Sequence, residues 1–298
     1  MADNKKRLEP HFDNGHMVPT SGKFNLAKVD TSPPKGERDE DELEEKLEKE
    51  VEKIAKLQRV LYASDRHAVL LVFQAMDAAG KDSTIRAVTS GVNPAGFQVH
   101  SFKAPSSNEL DQDFLWRSAR RLPQRGRIGI FNRSYYEEVL VVRVHPEYLG
   151  GQRLPETPPL KDLWKERFES IADHEKHLAR NGTVVLKFFL NVSREEQCAR
   201  FLSRIDEPKK NWKFNPGDVK ERARWDDYME AYADALEATS KPWAPWYAIP
   251  ADSKPYMRYI VARTLRKTLE NLALEYPTVS DDERAQMLQL RDELAGDQ

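Results

Sequence analysis

From residue 68 onward, short apolar runs alternate with longer segments in which apolar positions return every three or four residues. The runs fall near 68–74, 97–102, 127–131, 183–191 and 246–249, and the helical segments near 81–91, 109–121, 160–181, 193–206, 218–240 and 253–275. Unbroken apolar runs between helices predict strands buried on both faces, and the alternation predicts βαβ units forming an α/β fold with one five-stranded parallel sheet flanked by helices. In such folds the ligand site lies beyond the carboxyl ends of the strands. Upstream, Leu43, Leu47, Ile54, Leu57 and Leu61 recur at roughly helical steps in a stretch dominated by acids up to Glu52. That pattern predicts an amphipathic helix with a solvated acidic face, used for packing or for contact with a second copy. Residues 1–36 carry Pro19, Pro33, Pro34 and several glycines among polar residues and predict an extended arm, lying on the body or partly disordered. Residues 37–298 are expected to form one domain.

Composition changes this picture only in what it excludes. Charged residues make up 32% of the chain but the net charge is only −2, so any polyanion site must be local. A single cysteine, Cys198, excludes an intramolecular disulfide or a cysteine metal cluster and fits a reducing cytosol. The first residues, Met1-Ala2-Asp3-Asn4-Lys5-Lys6-Arg7, do not resemble a signal peptide, and no apolar run approaches the ~20 residues of a membrane span. A cytoplasmic protein with no membrane partner is the expectation.

The first apolar run leads into Gln74-Ala75-Met76-Asp77-Ala78-Ala79-Gly80-Lys81-Asp82-Ser83-Thr84. A strand, a turn of small residues, a Gly-Lys pair and a helix start are the parts of a phosphate-binding loop. Small residues let backbone N–H groups curl around phosphate oxygens, the helix N-terminus adds a partial positive charge, and Lys81 a full one. Ala78, Ala79, Gly80, Lys81, Asp82 and Ser83 are therefore candidate phosphate ligands. Ala75 stands where the usual pattern has its first glycine, and Asp82 displaces the hydroxyl residue by one position to Ser83. Asp77 inside the turn would be repelled by phosphates unless a cation lay between them, which makes it the leading candidate to hold magnesium, a hard cation that prefers oxygen ligands.

The third run ends at Phe131, and Asn132 then occupies the position of a Walker B carboxylate, without the charge. Arginines are dense nearby: Arg117, Arg120, Arg121, Arg125, Arg127 and Arg133 lie between Asp113 and Arg133. A second basic stretch includes Arg194, Arg200, Arg204, Lys209, Lys210, Lys213, Lys220, Arg222 and Arg224. Arg200 and Arg204 are four apart on one predicted helix face. In phosphoryl-transfer enzymes such a segment, here about 193–225, forms a helical lid that closes over the substrate and excludes water.

The loop, together with Ser90-Gly91-Val92-Asn93-Pro94, Ser101-Phe102-Lys103, Asp113-Phe114-Leu115-Trp116-Arg117 and Phe131-Asn132-Arg133-Ser134-Tyr135-Tyr136-Glu137, resembles the polyphosphate kinase 2 family from about Leu57 to about Leu274. The resemblance implies a thymidylate-kinase-like P-loop fold, magnesium with manganese as an alternative, and a homo-oligomer, dimer or tetramer. It further implies inorganic polyphosphate as donor and nucleotides as acceptors in a reversible reaction. The family's usual second motif is Asp-Arg-Ser-Trp-Tyr-Asn. Asn132-Arg133-Ser134-Tyr135-Tyr136-Glu137 is similar to the class III subgroup, which phosphorylates nucleoside mono- and diphosphates. AMP and ADP, or GMP and GDP, are the acceptors this suggests.

Carried over by position, the resemblance makes Asp77, Lys81 and Arg133 catalytic, with Asp77 and Glu137 toward the metal. It assigns Lys103, Arg117, Arg200, Arg204 and Lys209 to phosphate, and Asn132, Glu137 and Arg121 to the nucleotide. Two other readings are weighed against it. An ATP-dependent nucleoside monophosphate kinase would share the loop but not the donor. A nonenzymatic nucleic-acid or polyanion binder could use Trp212 and Trp225 for stacking, yet it would not require a strand-loop-helix site, and nucleic acid is not an expected partner.

Overall fold

The computed structural model describes residues 9–37 and 39–296. The first eight residues of the expected arm, and Arg38 and the last two residues of the expected domain, lie outside the described residues. Five strands, β1 (Ala68–Gln74), β2 (Phe97–Ser101), β3 (Ile128–Asn132), β4 (Thr183–Asn191) and β5 (Trp246–Pro250), form one parallel sheet among these residues, in the order β2-β3-β1-β4-β5. The central strand β1 is paired on both edges, Leu71 lying opposite Ile130 of β3 and Leu186 of β4, and successive residues 69–73 are buried in the core on both faces of the sheet. Its apolar run needs no polar alternation because both faces are covered.

The main helices are α1 (Glu40–Ser64), α2 (Lys81–Thr89), α3 (Leu160–Arg180), α4 (Arg194–Asp206), α5 (Pro216–Arg222), α6 (Trp225–Thr239), α7 (Lys254–Asn271) and α8 (Asp281–Gly296). Leu43, Ile54 and Leu61 bury one face of α1. Across it, Arg266 of α7 pairs with Glu50, its Nη2 donating to Oε1 at 3.1 Å. Ahead of α1, the chain at His16–Val18 runs antiparallel to the edge strand β5: Val18 N donates to Trp246 O and Ala248 N to His16 O, at 2.8 and 2.9 Å. Such pairing covers an otherwise open sheet edge.

Two helical expectations are corrected and one helix is added. The helix expected at 109–121 is two separate turns, Ser107–Leu110 and Trp116–Ala119. Between them the Asp113 carboxylate accepts from Leu115 N at 2.9 Å, a local hydrogen bond that competes with helix continuation. The helix expected at 218–240 is divided into α5 and α6 at Ala223 and Arg224, where Arg224 takes non-helical angles and its Nη1 donates to Val144 O at 3.1 Å. The helix α8 was not expected at all, since none of its residues is buried and its apolar positions mark no inward face. Its signal is local instead: Ser280 and Glu283 form a capping box, each side chain bonding the other's backbone N–H.

A polar network sits inside the core where β4 carries Lys187 among apolar neighbours. Lys187 and Glu175 of α3 have no exposed surface. Lys187 Nζ donates to Glu175 Oε2 at 2.6 Å, to Tyr136 Oη at 2.9 Å and to Thr239 O at 2.8 Å, while Tyr135 and Tyr136 both donate to Glu175 Oε1 at 2.9 Å. Burial pushes the Lys187 ammonium down to about 8, against the attraction of Glu175, and raises the Glu175 carboxyl above its ordinary value. The same residues anchor the turn Tyr135–Val139 that follows β3. No helix among the described residues is long and apolar enough to cross a membrane.

Candidate active site

The loop between β1 and α2 has left-handed backbone at Ala78 (φ 62°) and Gly80 (φ 110°). A non-glycine residue there costs on the order of 1 kcal/mol or more, which the surroundings must offset. At Gly80 the positive φ favours glycine, and a Cβ would also lie 3.0 Å from Met257 Cε, a tight approach to the end of a flexible side chain. Gly80 caps α2 without a side chain to occupy the first-turn N–H groups, which stay available to an anion.

The offset comes from α4. Gln197 Nε2 donates to Asp77 O at 2.9 Å, and Arg200 Nη1 to Ala78 O at 3.2 Å and Ala79 O at 2.7 Å. A trans peptide points its N–H opposite to its carbonyl, so these bonds turn the N–H groups of Ala78 and Gly80 away from α4, while Ala79 N closes the turn onto Met76 O at 3.3 Å. Lys81 Nζ donates to Ala75 O at 2.8 Å. Burial, and then the nearby Arg133, lowers the Lys81 pKa from its ordinary value. Ser83 Oγ donates to Gly80 O at 2.9 Å.

At the end of β3, Arg133 is a second non-glycine residue in the left-handed region (φ 63°), and its N–H donates to Phe73 O at 3.1 Å. Its side chain reaches the loop: Nη2 lies 2.9 Å from Asp77 Oδ1 and Nη1 3.4 Å from Glu137 Oε2. Glu137, and Asp77 after it, raise the Arg133 pKa above its ordinary value. Asn132 Nδ2 donates to Asp82 Oδ1 at 2.5 Å. Ser134 Oγ accepts from Gln74 Nε2 at 3.3 Å, tying the two strand ends together.

Two cavities meet at the Arg133–Asp77 pair, which lines both. The larger, about 650 Å³, is walled by Lys81, Arg86, Lys103, Arg204, Lys210, Lys213, Lys254 and Arg258 along with the loop, against only Asp77 and Asp82 among carboxylates. The smaller, about 260 Å³, is bounded by Glu137, Asn215, Asp218, Glu221, Tyr228 and Tyr232. One basin is strongly cationic; the other is acidic and aromatic. With hard oxygens at Asp77 and Glu137, both within reach of Arg133, the donor chemistry fits a cation such as magnesium, which takes one or two carboxylates and completes its shell with phosphates and water.

Arg117, Arg121 and Lys209, expected at the site, fall elsewhere, and Arg200 lines the cationic cavity with little exposure. Arg200 is 8% exposed, and besides its bonds to the loop it donates to Ala251 O at 2.6 Å, Asp252 O at 3.2 Å and Glu196 Oε1 at 2.7 Å. Its donors are spent on the scaffold under the loop. Arg117 supports Lys103 from behind, Nη2 donating to Lys103 O at 2.7 Å, and stands outside both cavity walls. Arg121 and Lys209 are exposed and line neither cavity. Arg86, Lys254 and Arg258 were missed. Lys254 and Arg258, four apart at the start of the helix after the last strand, were legible as a basic face at a carboxyl strand end.

Arg200→Ala would leave four backbone carbonyls without that donor. It should lower stability by about 3 kcal/mol, the scale of one or two buried acceptors left unsatisfied, and depress kcat more than it raises the donor KM. A normally stable variant with only the donor KM raised would restore a gripping role.

A parallel sheet with a strand-loop-helix phosphate cradle at its carboxyl edge defines a P-loop kinase fold. The chain belongs to the polyphosphate kinase 2 family, whose model, described as "Polyphosphate kinase 2", matches residues 37–277. It is 52% identical over 273 residues to the ADP-polyphosphate phosphotransferase of Rhodopseudomonas palustris, covering 91% of this chain and 94% of that one. It is 48% identical to the AMP/ADP-polyphosphate phosphotransferase of Meiothermus ruber, over 76% of this chain and 80% of that one. The crystal structure of polyphosphate kinase 2 from Arthrobacter aurescens superposes with a TM-score of 0.82 at 36% identity, covering 91% of this chain and 95% of that one.

Proposed function

We propose that this enzyme transfers the terminal phosphoryl group of inorganic polyphosphate to AMP and ADP, in a reversible reaction with a divalent cation. The observation that carries this reading is the cationic cleft over the Gly80-Lys81 loop, joined at Arg133 and Asp77 to a separate acidic chamber. Polyphosphate carries roughly one charge per phosphate and offers no base to recognise, so a row of cations is the recognition it needs. The relatives named for ADP and for AMP/ADP support nucleotides as acceptors.

In this reading a terminal oxygen of the nucleotide attacks the last phosphorus of the chain. A new P–O bond forms as the bond to the next bridging oxygen breaks, and the polyphosphate leaves one unit shorter with the electron pair. Lys81, Arg133 and the free N–H groups of the loop and of the first turn of α2 balance charge on the phosphoryl group in flight. Asp77 and Glu137 would hold the cation, magnesium with manganese as the alternative, which supplies further neutralisation of the phosphates. Asp82 holds Asn132 in the wall of the cationic cleft, where Asn132 would meet the nucleotide at the phosphate end that enters the cleft. Arg204 would contact the donor. No covalent nucleophile is required. Assembly as a dimer or tetramer completes the proposal.

The test is direct: purified protein with AMP or ADP and polyphosphate, no ATP added, should yield ADP and ATP. Product formed only when ATP is the donor would instead support an ATP-dependent nucleoside monophosphate kinase. Acceptor choice has its own test. A carboxylate beside a phosphate-rich site is tolerated when it binds a cation or accepts a hydrogen bond, and a monophosphate brings less charge of its own to hold that cation. Glu137→Asn should therefore lower kcat/KM for AMP several-fold more than for ADP. Equal losses would remove Glu137 as the selector.

A further inference from the structure

The wall between the two cavities contains a second ion pair, in which the proposed reaction uses the arginine but gives the carboxylate no role. Arg204 of α4 lines the cationic cleft and Asp218 of α5 lines the acidic chamber. Arg204 Nη1 lies 3.1 Å from Asp218 Oδ2. Both side chains are only partly exposed, 21% and 17%. Arg204 also donates to Lys213 O at the longer distance of 3.4 Å, and its guanidinium lies 5.4 Å from the centre of the Phe201 ring. The pair therefore bridges the two lid helices while spanning the boundary between donor and acceptor spaces.

Resting on the reading of this cleft as the polyphosphate site, we propose that Asp218 is a positioning residue: it restrains Arg204, and polyphosphate must compete with it for the guanidinium. The competition is winnable. A partly solvated ion pair has a small net strength, because the attraction is screened and two side chains must be held. A polyphosphate chain presents several charges and bidentate oxygens to the same guanidinium, in a cleft already lined by Lys210 and Lys213.

Release has a consequence on the other side. Asp218 then stands in the acidic chamber without its arginine, facing Arg133 and the acceptor space, where its oxygens can accept from a nucleotide's hydroxyl or amino groups. Donor binding thus changes the acceptor chamber through one exchanged partner. Linkage requires that occupancy of the chamber by a group bonded to Asp218 favour donor binding by the same factor.

The experiment measures binding of tripolyphosphate by calorimetry, without nucleotide, to the wild type, Asp218→Asn, Arg204→Ala and the double variant. Asp218→Asn should bind tripolyphosphate roughly two- to fivefold more tightly, the range that loss of such a pair makes available. A gain in affinity cannot come from a damaged fold. Removing a negative charge would also favour an anion through the general field, and that part persists without Arg204. The gain should therefore shrink to within about 1.5-fold in the Arg204→Ala background, as a double-mutant cycle requires when one residue acts through the other. Unchanged or weaker binding by Asp218→Asn, or a gain of the same size without Arg204, overturns the inference alone. No measurable binding to the wild type would overturn the donor reading, and the inference with it.

Discussion

Lys81→Ala and Asp77→Ala are each expected to lower kcat by at least ~100-fold with the fold intact, because loss of one preorganised electrostatic group at a phosphoryl-transfer centre costs on the order of 3 kcal/mol. The two losses have different origins. Lys81 is poised at the top of the loop, its Nζ 2.8 Å from Ala75 O, and its removal takes a cation from the phosphate cradle. Asp77 is the acid facing Arg133 Nη2 at 2.9 Å, and its removal both takes a hard oxygen from the candidate cation site and frees Arg133 to collapse onto Glu137. The check is initial-rate turnover at saturating polyphosphate and nucleotide, with far-ultraviolet circular dichroism to verify the fold. Turnover within a few-fold of wild type in either variant would remove that residue from the chemistry.

Lys187→Met should destabilise the protein by about 3–5 kcal/mol, the usual result of taking one partner from a buried ion pair and leaving the other uncompensated. Glu175 would keep only its two tyrosine donors, in a place with no exposed surface. The urea midpoint should fall accordingly. Pairing Lys187→Met with Glu175→Leu should recover much of the loss, since apolar replacements of both partners spare the desolvation of either charge. Because Tyr135 and Tyr136 tie this network to the turn carrying Glu137, the single variant should lose activity below its unfolding transition as well. Stability within about 1 kcal/mol of wild type would show that the network is dispensable.

The parts legible in the sequence are those fixed by neighbours along the chain. The run 68–74 is apolar without interruption, so it predicted a strand buried on both faces, and β1 is paired on both edges. Gly80-Lys81 at a strand-to-helix turn located the phosphate loop. Helix boundaries failed where short-range side-chain bonds intervened, as at Asp113 between two helical turns, and the capping box at Ser280 and Glu283 was a readable signal left unread.

Charge was a poor guide to role, and Arg200 and Arg204 show why. Both are arginines on one face of α4, a turn apart, and the sequence treats them alike. One turn of helix carries Arg200 under the loop, where backbone carbonyls of two strand ends converge on it, and leaves Arg204 at the mouth of the cleft facing an acid from another helix. Sequence alone determined the α/β class, the strand-to-helix loop carrying Lys81 and Asp77, and the strand end before Asn132, because each rests on local periodicity or backbone chemistry. Only the tertiary structure decided which cations line the cleft, that Arg133 joins Asp77 to Glu137, and that Asp218 stands opposite Arg204, because those depend on how helices distant in sequence pack over the carboxyl edge of one sheet.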